Sequence, residues 1–426
     1  MSIFESQLGI TPILNASGAV TRLGGAPMPD QVLDAFRAAA TEWAPLEQLQ
    51  AAAGRRIAEL TGTEAGLVTA GSAAALTLGT AAILCGYDLG RIERLPHCDE
   101  FPHEIVIARE QRSGYDHAVR AAGARFVEVG FNEIVSNAGV RRTEGWEYEA
   151  AFTDNTAGVF YGFAPDAEPP LEDVVERAHR HGLPVLVDAA GELPPKENLR
   201  TIAATGADLV AFSGGKSIRG PQSTGILCGR QPLVASAAIQ MLDMDDHLEL
   251  WDPPPELVDR SQLDGLPRHG IGRALKVSKE EILALVTALD LFAAGAYDAE
   301  WQQQHARLES ITSELSGQPV ECEIQGTAAA ERSPTLVITV DEDAAGRSAF
   351  EICRSLRNGS PPVYVSHGRL AQGCLVINPL CLDDTQARNW PAGSVKNSPA
   401  SRGLSVLAPP GSSWPPVRPA RVTPGE

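Results

Sequence analysis

Apolar β-branched runs alternate with amphipathic stretches through the middle of the chain, and the change of period marks out its elements. EIVIA (104–108) reads as a strand, YDHAVRAAG (115–123) as a helix stopping on Gly123, and RFVEVG (125–130) as the next strand. TAGVFYG (156–162) follows as a strand, PLEDVVERAHRHG (170–182) as an amphipathic helix with a glycine stop, and LPVLVDAAG (183–191) as a strand. ADLVAFSGG (207–215) and TGILCG (224–229) complete the series. Strands separated by single helices imply right-handed crossovers and a mostly parallel sheet between helices. Near-continuous apolar strands such as 184–187 fit a sheet covered on both faces.

Beyond this α/β region the pattern changes. Residues 231–250 read as a helix, WDPPPE (251–256) as a proline-rich crossing, and 278–315 as one long helix bent near Gly295. Ser278 is its N-cap, with Glu281 at capping-box spacing. TLVITV (335–340), PPVYVS (361–366) and CLVINP (374–379) are the strands of a smaller α+β domain. After about residue 386 no period survives, and the Pro-, Ser-, Gly- and Arg-rich remainder reads as disordered. The chain thus divides into an N-terminal segment (1–50), a large domain (51–270), a small C-terminal domain (271–385) and a tail (386–426), with no internal repeat.

Composition narrows the function classes. A formal net charge of −19 over 426 residues disfavours a general nucleic-acid binder, whose affinity would rest on Lys and Arg. The seven cysteines form no CxxC pair, as expected of reduced core residues rather than of a disulfide framework or zinc site. The start of the chain lacks a signal-peptide pattern, and no apolar run is long enough to span a bilayer, so a cytoplasmic protein is expected. His179 and His181 read as the C-terminus of a helix rather than as metal ligands, and no metal site is expected.

Ligands of parallel α/β sheets gather at the carboxyl ends of the strands. Asp188 ends one strand, Ser213 and Lys216 lie just past the end of another, and Gly71 and Ser72 begin an apolar helix. A helix start offers free N–H groups to a phosphate, a lysine can condense with an aldehyde, and a carboxylate can hold a pyridinium proton. Each feature alone is usually a cap, a turn or a solvated side chain. Their order gives them weight: helix start, strand-end Asp, then Ser-Gly-Gly-Lys with Lys216 28 residues after Asp188.

The stretches ILNASGAVTRLGGAPMP (13–29), GTEAGLVTAGSAAAL (62–76), YDHAVRAAGARFVEVG (115–130), LVDAAGELPP (186–195), DLVAFSGGKSIRGPQSTGIL (208–227) and GIGRALKVSKEEILALVTAL (270–289) resemble the selenocysteine synthase-like group of fold-type-I pyridoxal phosphate enzymes, which includes D-glucosaminate-6-phosphate ammonia-lyase. The resemblance runs over about residues 5 to 382 and is most specific in SGGKSIRGPQSTG. It implies pyridoxal 5'-phosphate as cofactor, carried on Lys216, with Asp188 at the ring nitrogen, Ser213 at the phosphate, and Gly71, Ser72 and Ala73 cradling it. Tyr115 and His117 are candidates to stack on the ring, although QRSGYD, with Gln111, departs from the His-Arg-Asn that many relatives carry there. Asn15 and Thr21 are expected near the site, and Arg219 and Arg273, with Arg369 a weaker choice, are candidates to bind an anionic substrate group.

The expected activity is a lyase acting on an amino acid or a phosphorylated amino sugar acid, by Cα proton abstraction, β-elimination and release of ammonia. Alternatives are a selenocysteine synthase-like transferase, a racemase or aminotransferase, and a cofactor-binding protein without catalysis. The resemblance also implies a homodimer or assembly of dimers, with crossings near Asn15 and Arg219 to Gln222, and no nucleic-acid or membrane partner.

Overall fold

Runs richest in Val, Ile and Leu form the central sheet, because both faces of those strands leave water. The computed structural model describes residues 2–131, 142–326 and 333–391. In chain order its strands are β1 (Leu14–Ala16), β2 (Ala65–Thr69), β3 (Glu104–Ala108), β4 (Arg125–Val129), β5 (Thr156–Gly162) and β6 (Val185–Asp188). They continue with β7 (Leu209–Ser213), β8 (Gly225–Gly229), β9 (Val320–Gln325), β10 (Thr335–Val340), β11 (Val363–Val365) and β12 (Cys374–Ile377). The central sheet has seven strands in the order β2-β8-β7-β6-β5-β3-β4. It is parallel from β4 to β7, while β8 runs antiparallel to both β7 and β2.

Every residue of β2, β3 and β8 is buried; in β6 and β7 the exceptions are the terminal Asp188 and Ser213. These two open out where the strands finish, the position at which such sheets place their ligands. The helix Gly71–Cys85 crosses the sheet and is buried from Ala74 onward except at Ile83. That all-round burial explains why its sequence lacks a polar stripe.

The expected helix over 231–250 ends at Met241. Asp243, Asp245 and Asp246 come next, and negative charge is unfavourable at a helix C-terminus. The segment 278–315 forms two helices, Lys279–Ala293 and Glu300–Glu314, separated at Gly295, whose φ is +75°. The first starts with the expected box: Ser278 accepts from the Glu281 N–H and the Glu281 carboxylate accepts from the Ser278 N–H. Ile282, Leu285, Leu289 and Phe292 of this helix join the large core. Each gains about 1.5–3 kcal/mol from burial.

A smaller core forms around the antiparallel sheet β9-β10-β12, against the helices Glu300–Glu314 and Ala349–Arg357. Leu14 and Ala16 of β1 join it, because β1 pairs in parallel with β11, far along the chain. The helix Asp384–Arg388 and the buried Trp390 also pack here, so ordered chain extends past the boundary expected at 386. The box formed by Asp383 and Gln386 starts that helix. The rest of the expected tail, 392–426, lies outside the described residues. All seven cysteines are free, and five are buried. Among the described residues no helix is long and apolar enough to cross a membrane.

Candidate active site

Asp188 and Lys216 meet in one cleft of about 370 Å3 at the carboxyl ends of β5, β6 and β7. The β6–β7 ladder continues one residue past β6, with Ala189 N–H donating to Ala211 O at 3.0 Å, and Ala190 N–H donates to Asp188 Oδ1 at 3.0 Å. Gly191 then passes beside the lysine; a Cβ there would lie 3.8 Å from Lys216 Nζ. Burial pushes the Asp188 carboxyl above the usual carboxylate range, against the opposing pull of the Ala190 N–H and the Lys216 charge. A cationic N–H beside Asp188 would reverse that shift.

The lysine sits in a closed turn. Arg219 N–H donates to Lys216 O at 3.0 Å, Gly220 N–H to Gly214 O at 2.9 Å, and Gly214 N–H to Thr224 O at 2.9 Å. Ser217 Oγ donates to Leu193 O at 2.7 Å, tying this turn to the one after β6. A Cβ on Gly215 would come within 2.4 Å of the Gln222 Cα, so the turn closes only with glycine there. Ala26 N–H donates to Gly215 O at 3.1 Å, which holds the N-terminal segment against the lysine loop.

Ser213 faces a second feature through strand register. Ser213 pairs with Gly225, and Gly225 pairs with Thr69 on the far side. Two residues past Thr69, the helix Gly71–Cys85 begins, with Gly71 at φ +85° and no side chain capping its first turn. A Cβ on Gly225 would lie 2.3 Å from the Gly71 carbonyl carbon. Gly71, Ser72 and Ala73 are therefore set beside the end of β8, with a helix dipole behind them and N–H groups that no side chain caps.

Over the cleft, Gln111 accepts from the Gly162 N–H through Oε1 at 3.0 Å, and Gly162 is the register partner of Asp188. Its Nε2 is shielded from water without a well-formed partner; the neighbouring Tyr161 hydroxyl feels it but gives its own proton to Pro169 O. Tyr115 lines the cleft and is 61% exposed, whereas His117 is exposed and absent from the lining. Glu110, Arg142, Phe163, Asp166 and Glu168 also line it. FAPDAE (163–168) carries no motif, and its one signal in the sequence is its place just past the carboxyl end of β5.

The other expected site residues do not gather here. Asn15 accepts from Ser17 N–H and donates to Gly18 O, shaping its own turn. Thr21 is exposed at the start of a short 3-10 turn. The Arg219 fork is taken by Glu300 at 2.8 and 2.5 Å, and Arg273 pairs with Asp243 at a separate surface. Arg369 is exposed on the small domain, bonded to Gln372. An anionic substrate group would have to displace Glu300 or Asp243 to reach the first two.

The family model for aminotransferase class-V matches residues 147–250, a span that holds Asp188, Ser213 and Lys216. The 5'-C-glycyluridine monooxygenase-decarboxylase of Streptomyces sp is 32% identical over 388 residues, covering 88% of this chain and 87% of that protein. The D-glucosaminate-6-phosphate ammonia lyase of Salmonella typhimurium is 26% identical, covering 88% and 92%. An L-seryl-tRNA(Sec) selenium transferase of Geotalea uraniireducens is 27% identical, covering 89% and 82%. A solved structure of D-glucosaminate-6-phosphate ammonia-lyase superposes with a TM-score of 0.73 at 24% identity, over 93% of this chain and 96% of that one, and shares its fold.

Proposed function

Because the chain belongs to the selenocysteine synthase-like group of fold-type-I pyridoxal phosphate enzymes, we propose that it is a pyridoxal phosphate-dependent enzyme that breaks a bond at Cα of a 2-amino acid bearing a hydroxyl on the next carbon. The observation that carries this reading is the single cleft shared by Asp188 and Lys216. D-Glucosaminate and seryl groups, named for two relatives, both contain a 2-amino-3-hydroxy unit, and glycyluridine, named for a third, places an amino acid on a nucleoside.

The residues fit the cofactor. Lys216 is the amine that would carry it. Asp188, its carboxyl raised by burial, would be returned to the carboxylate by a ring N–H. Ser213 and the N–H groups of Gly71, Ser72 and Ala73 would hold the phosphate at the start of a helix. Tyr115 would lean over the ring from the cleft wall, and His117, outside the cleft lining, is the weaker choice. When bound, pyridoxal phosphate supplies an electron sink for charge developing at Cα.

The uncharged Lys216 Nζ would take the Cα proton as general base. Asp188 keeps its negative charge throughout and holds the proton opposite it. With Cα–H broken, the bond to the neighbouring hydroxyl oxygen would break, and the oxygen would leave as water with the proton that Lys216 Nζ had taken. The resulting enamine hydrolyses to a keto acid and ammonia. Asn15 and Thr21 close this space only if the N-terminal segment moves inward from Ala26, its contact with the lysine loop. Arg219 and Arg273 reach an anionic group only by exchange with their carboxylate partners.

A second reading is favoured by the 32% identity to a monooxygenase-decarboxylase. There the bond from Cα to the carboxylate would break and CO2 would leave, with O2 as the oxidant: one of its oxygen atoms would join the former Cα, giving a carboxamide, and the other would leave as water. Incubation with a panel of 2-amino-3-hydroxy acids, scored for ammonia, keto acid, CO2 and O2 consumption, separates the two. Ammonia with keto acid and no O2 uptake supports elimination; CO2 with O2 uptake supports the second reading; no turnover on any member refutes both.

The working unit is a homodimer or assembly of dimers acting on a small molecule. Ile3, Phe4, Leu8, Ile10 and Trp43 are 56–86% exposed near the N-terminus, and the helix Ile3–Leu8 buries none of its residues. A second copy of the chain would cover this apolar surface.

A further inference from the structure

The Lys216 cleft carries a second cation that the chemistry at Cα leaves unused. Among its described lining residues the basic side chains are Lys216 and Arg142. Arg142 is exposed and makes no hydrogen bond or ion pair with a described residue. The other arginines considered for an anionic group are engaged or elsewhere. Glu300 holds Arg219, Asp243 holds Arg273, and Arg369 is bonded to Gln372 outside the cleft lining.

The backbone at Arg142 is anchored. Thr143, the next residue, is 2% exposed and donates its N–H to Glu110 Oε1 at 2.9 Å and its hydroxyl to Glu110 Oε2 at 2.6 Å. A Cβ on Gly130, just past β4 with φ of +97°, would lie 2.1 Å from Thr143 Oγ1, so glycine there makes room for the pair. Glu110 and Gln111 are successive residues of one 3-10 turn, and Gln111 takes the N–H of Gly162, the register partner of Asp188. The root of Arg142 and the strand end beside Asp188 thus hang on the same turn. Burial raises the Glu110 carboxyl, but the Thr143 hydroxyl and N–H, and then the Arg142 charge, pull it below the usual range. Both of its oxygens serve Thr143, so Glu110 attracts Arg142 without bonding to it.

The charge around Arg142 narrows what it can hold. Glu110, Asp166 and Glu168 also line the cleft, so a phosphate dianion would meet three carboxylates against one free guanidinium. A single carboxylate, on a molecule whose amine is held at the cofactor, suits that balance. The guanidinium fork matches a carboxylate with two parallel N–H···O bonds.

We propose that Arg142 binds the carboxylate of the amino-acid substrate and gives the cleft its preference for amino acids over other amines. The inference rests on the pyridoxal phosphate reading for the place of the amine. With the amine at one end of the cleft and the carboxylate at Arg142, Cα is held at two points, which limits its rotation over the ring.

Serine, as either enantiomer, and serinamide, which lacks the charge, are titrated into the full-length holoenzyme and followed by the cofactor's absorbance and by calorimetry. Wild-type protein should bind serine about tenfold more tightly than serinamide, the worth of a charge-assisted hydrogen bond. Arg142→Gln should weaken serine by about the same factor and leave serinamide within about twofold, with thermal unfolding unchanged. Arg142→Lys, which keeps the charge and loses the fork, should recover part of the preference. Serine and serinamide binding alike to wild-type protein, neither binding, or an undiminished preference in Arg142→Gln overturns the proposal. Protein that takes up no pyridoxal phosphate shows its failure before any amine is added, and refutes the reading on which the proposal rests together with it.

Discussion

Arg219 and Glu300 form a two-pronged ion pair behind the lysine turn, with Nη1–Oε1 at 2.8 Å and Nη2–Oε2 at 2.5 Å. Arg219 is 8% exposed, has φ of +63°, and lays its guanidinium 4.2 Å from the Tyr297 ring centroid. The left-handed backbone of a non-glycine residue costs about 1–2 kcal/mol. The fork and the stacked ring offset that cost, so a helix of the second half of the chain sets the conformation of the residue three past Lys216.

Arg219→Ala should therefore destabilise the protein more than Arg219→Gly, by about 1 kcal/mol, since glycine accepts the positive φ and alanine does not. Glu300→Gln should cost about 2 kcal/mol by leaving a buried guanidinium half-paired. Denaturant melts of the three variants check the order; a glycine variant less stable than the alanine one would remove backbone strain from the account.

Gly225→Ala should damage the phosphate corner selectively. Its Cβ would sit 2.3 Å from the Gly71 carbonyl carbon and 2.5 Å from the Ser72 nitrogen, so the helix start must shift. Cofactor affinity should fall at least about tenfold, the worth of one charge-assisted hydrogen bond. Equilibrium dialysis with pyridoxal phosphate measures it, and Gly265→Ala, with open space around its Cβ, is the control.

Most of the parallel sheet was legible because its strands are short, apolar and bounded by Gly or Pro, and the places of Asp188 and Lys216 at and beyond strand ends were legible too. What escaped the reading is non-local. β1 pairs with β11 across almost the whole chain, and three residues carry no pattern that would announce it. β9 alternates in burial, but its VECEIQ sequence holds only three aliphatic or thiol positions. The break at 294–299 depends on Tyr297 and Asp298 meeting Arg219 and Lys196 from another part of the chain. Arg219 and Arg273 looked available because sequence does not display their acidic partners.

Asp188 sets a pH dependence. Burial raises its pKa in the cofactor-free protein, so the stability it contributes is full while the carboxyl is protonated and is lost as pH rises through the raised folded value. Cofactor-free Asp188→Asn should thus melt higher than cofactor-free wild type at neutral pH, with the gap closing below the usual carboxylate range. Its affinity for pyridoxal phosphate should fall, because asparagine cannot hold a ring proton by charge. Thermal melts against pH read both; a gap that grows on acidification contradicts the burial account.

The central claim is that Lys216 carries the cofactor. Borohydride reduction of the holoenzyme followed by peptide mapping tests it most directly. The account predicts one stable adduct, on Lys216, and a Lys216→Ala protein that still binds pyridoxal phosphate without covalent attachment while losing turnover by about 100-fold or more. An adduct on another lysine, or none with the cofactor bound, contradicts it.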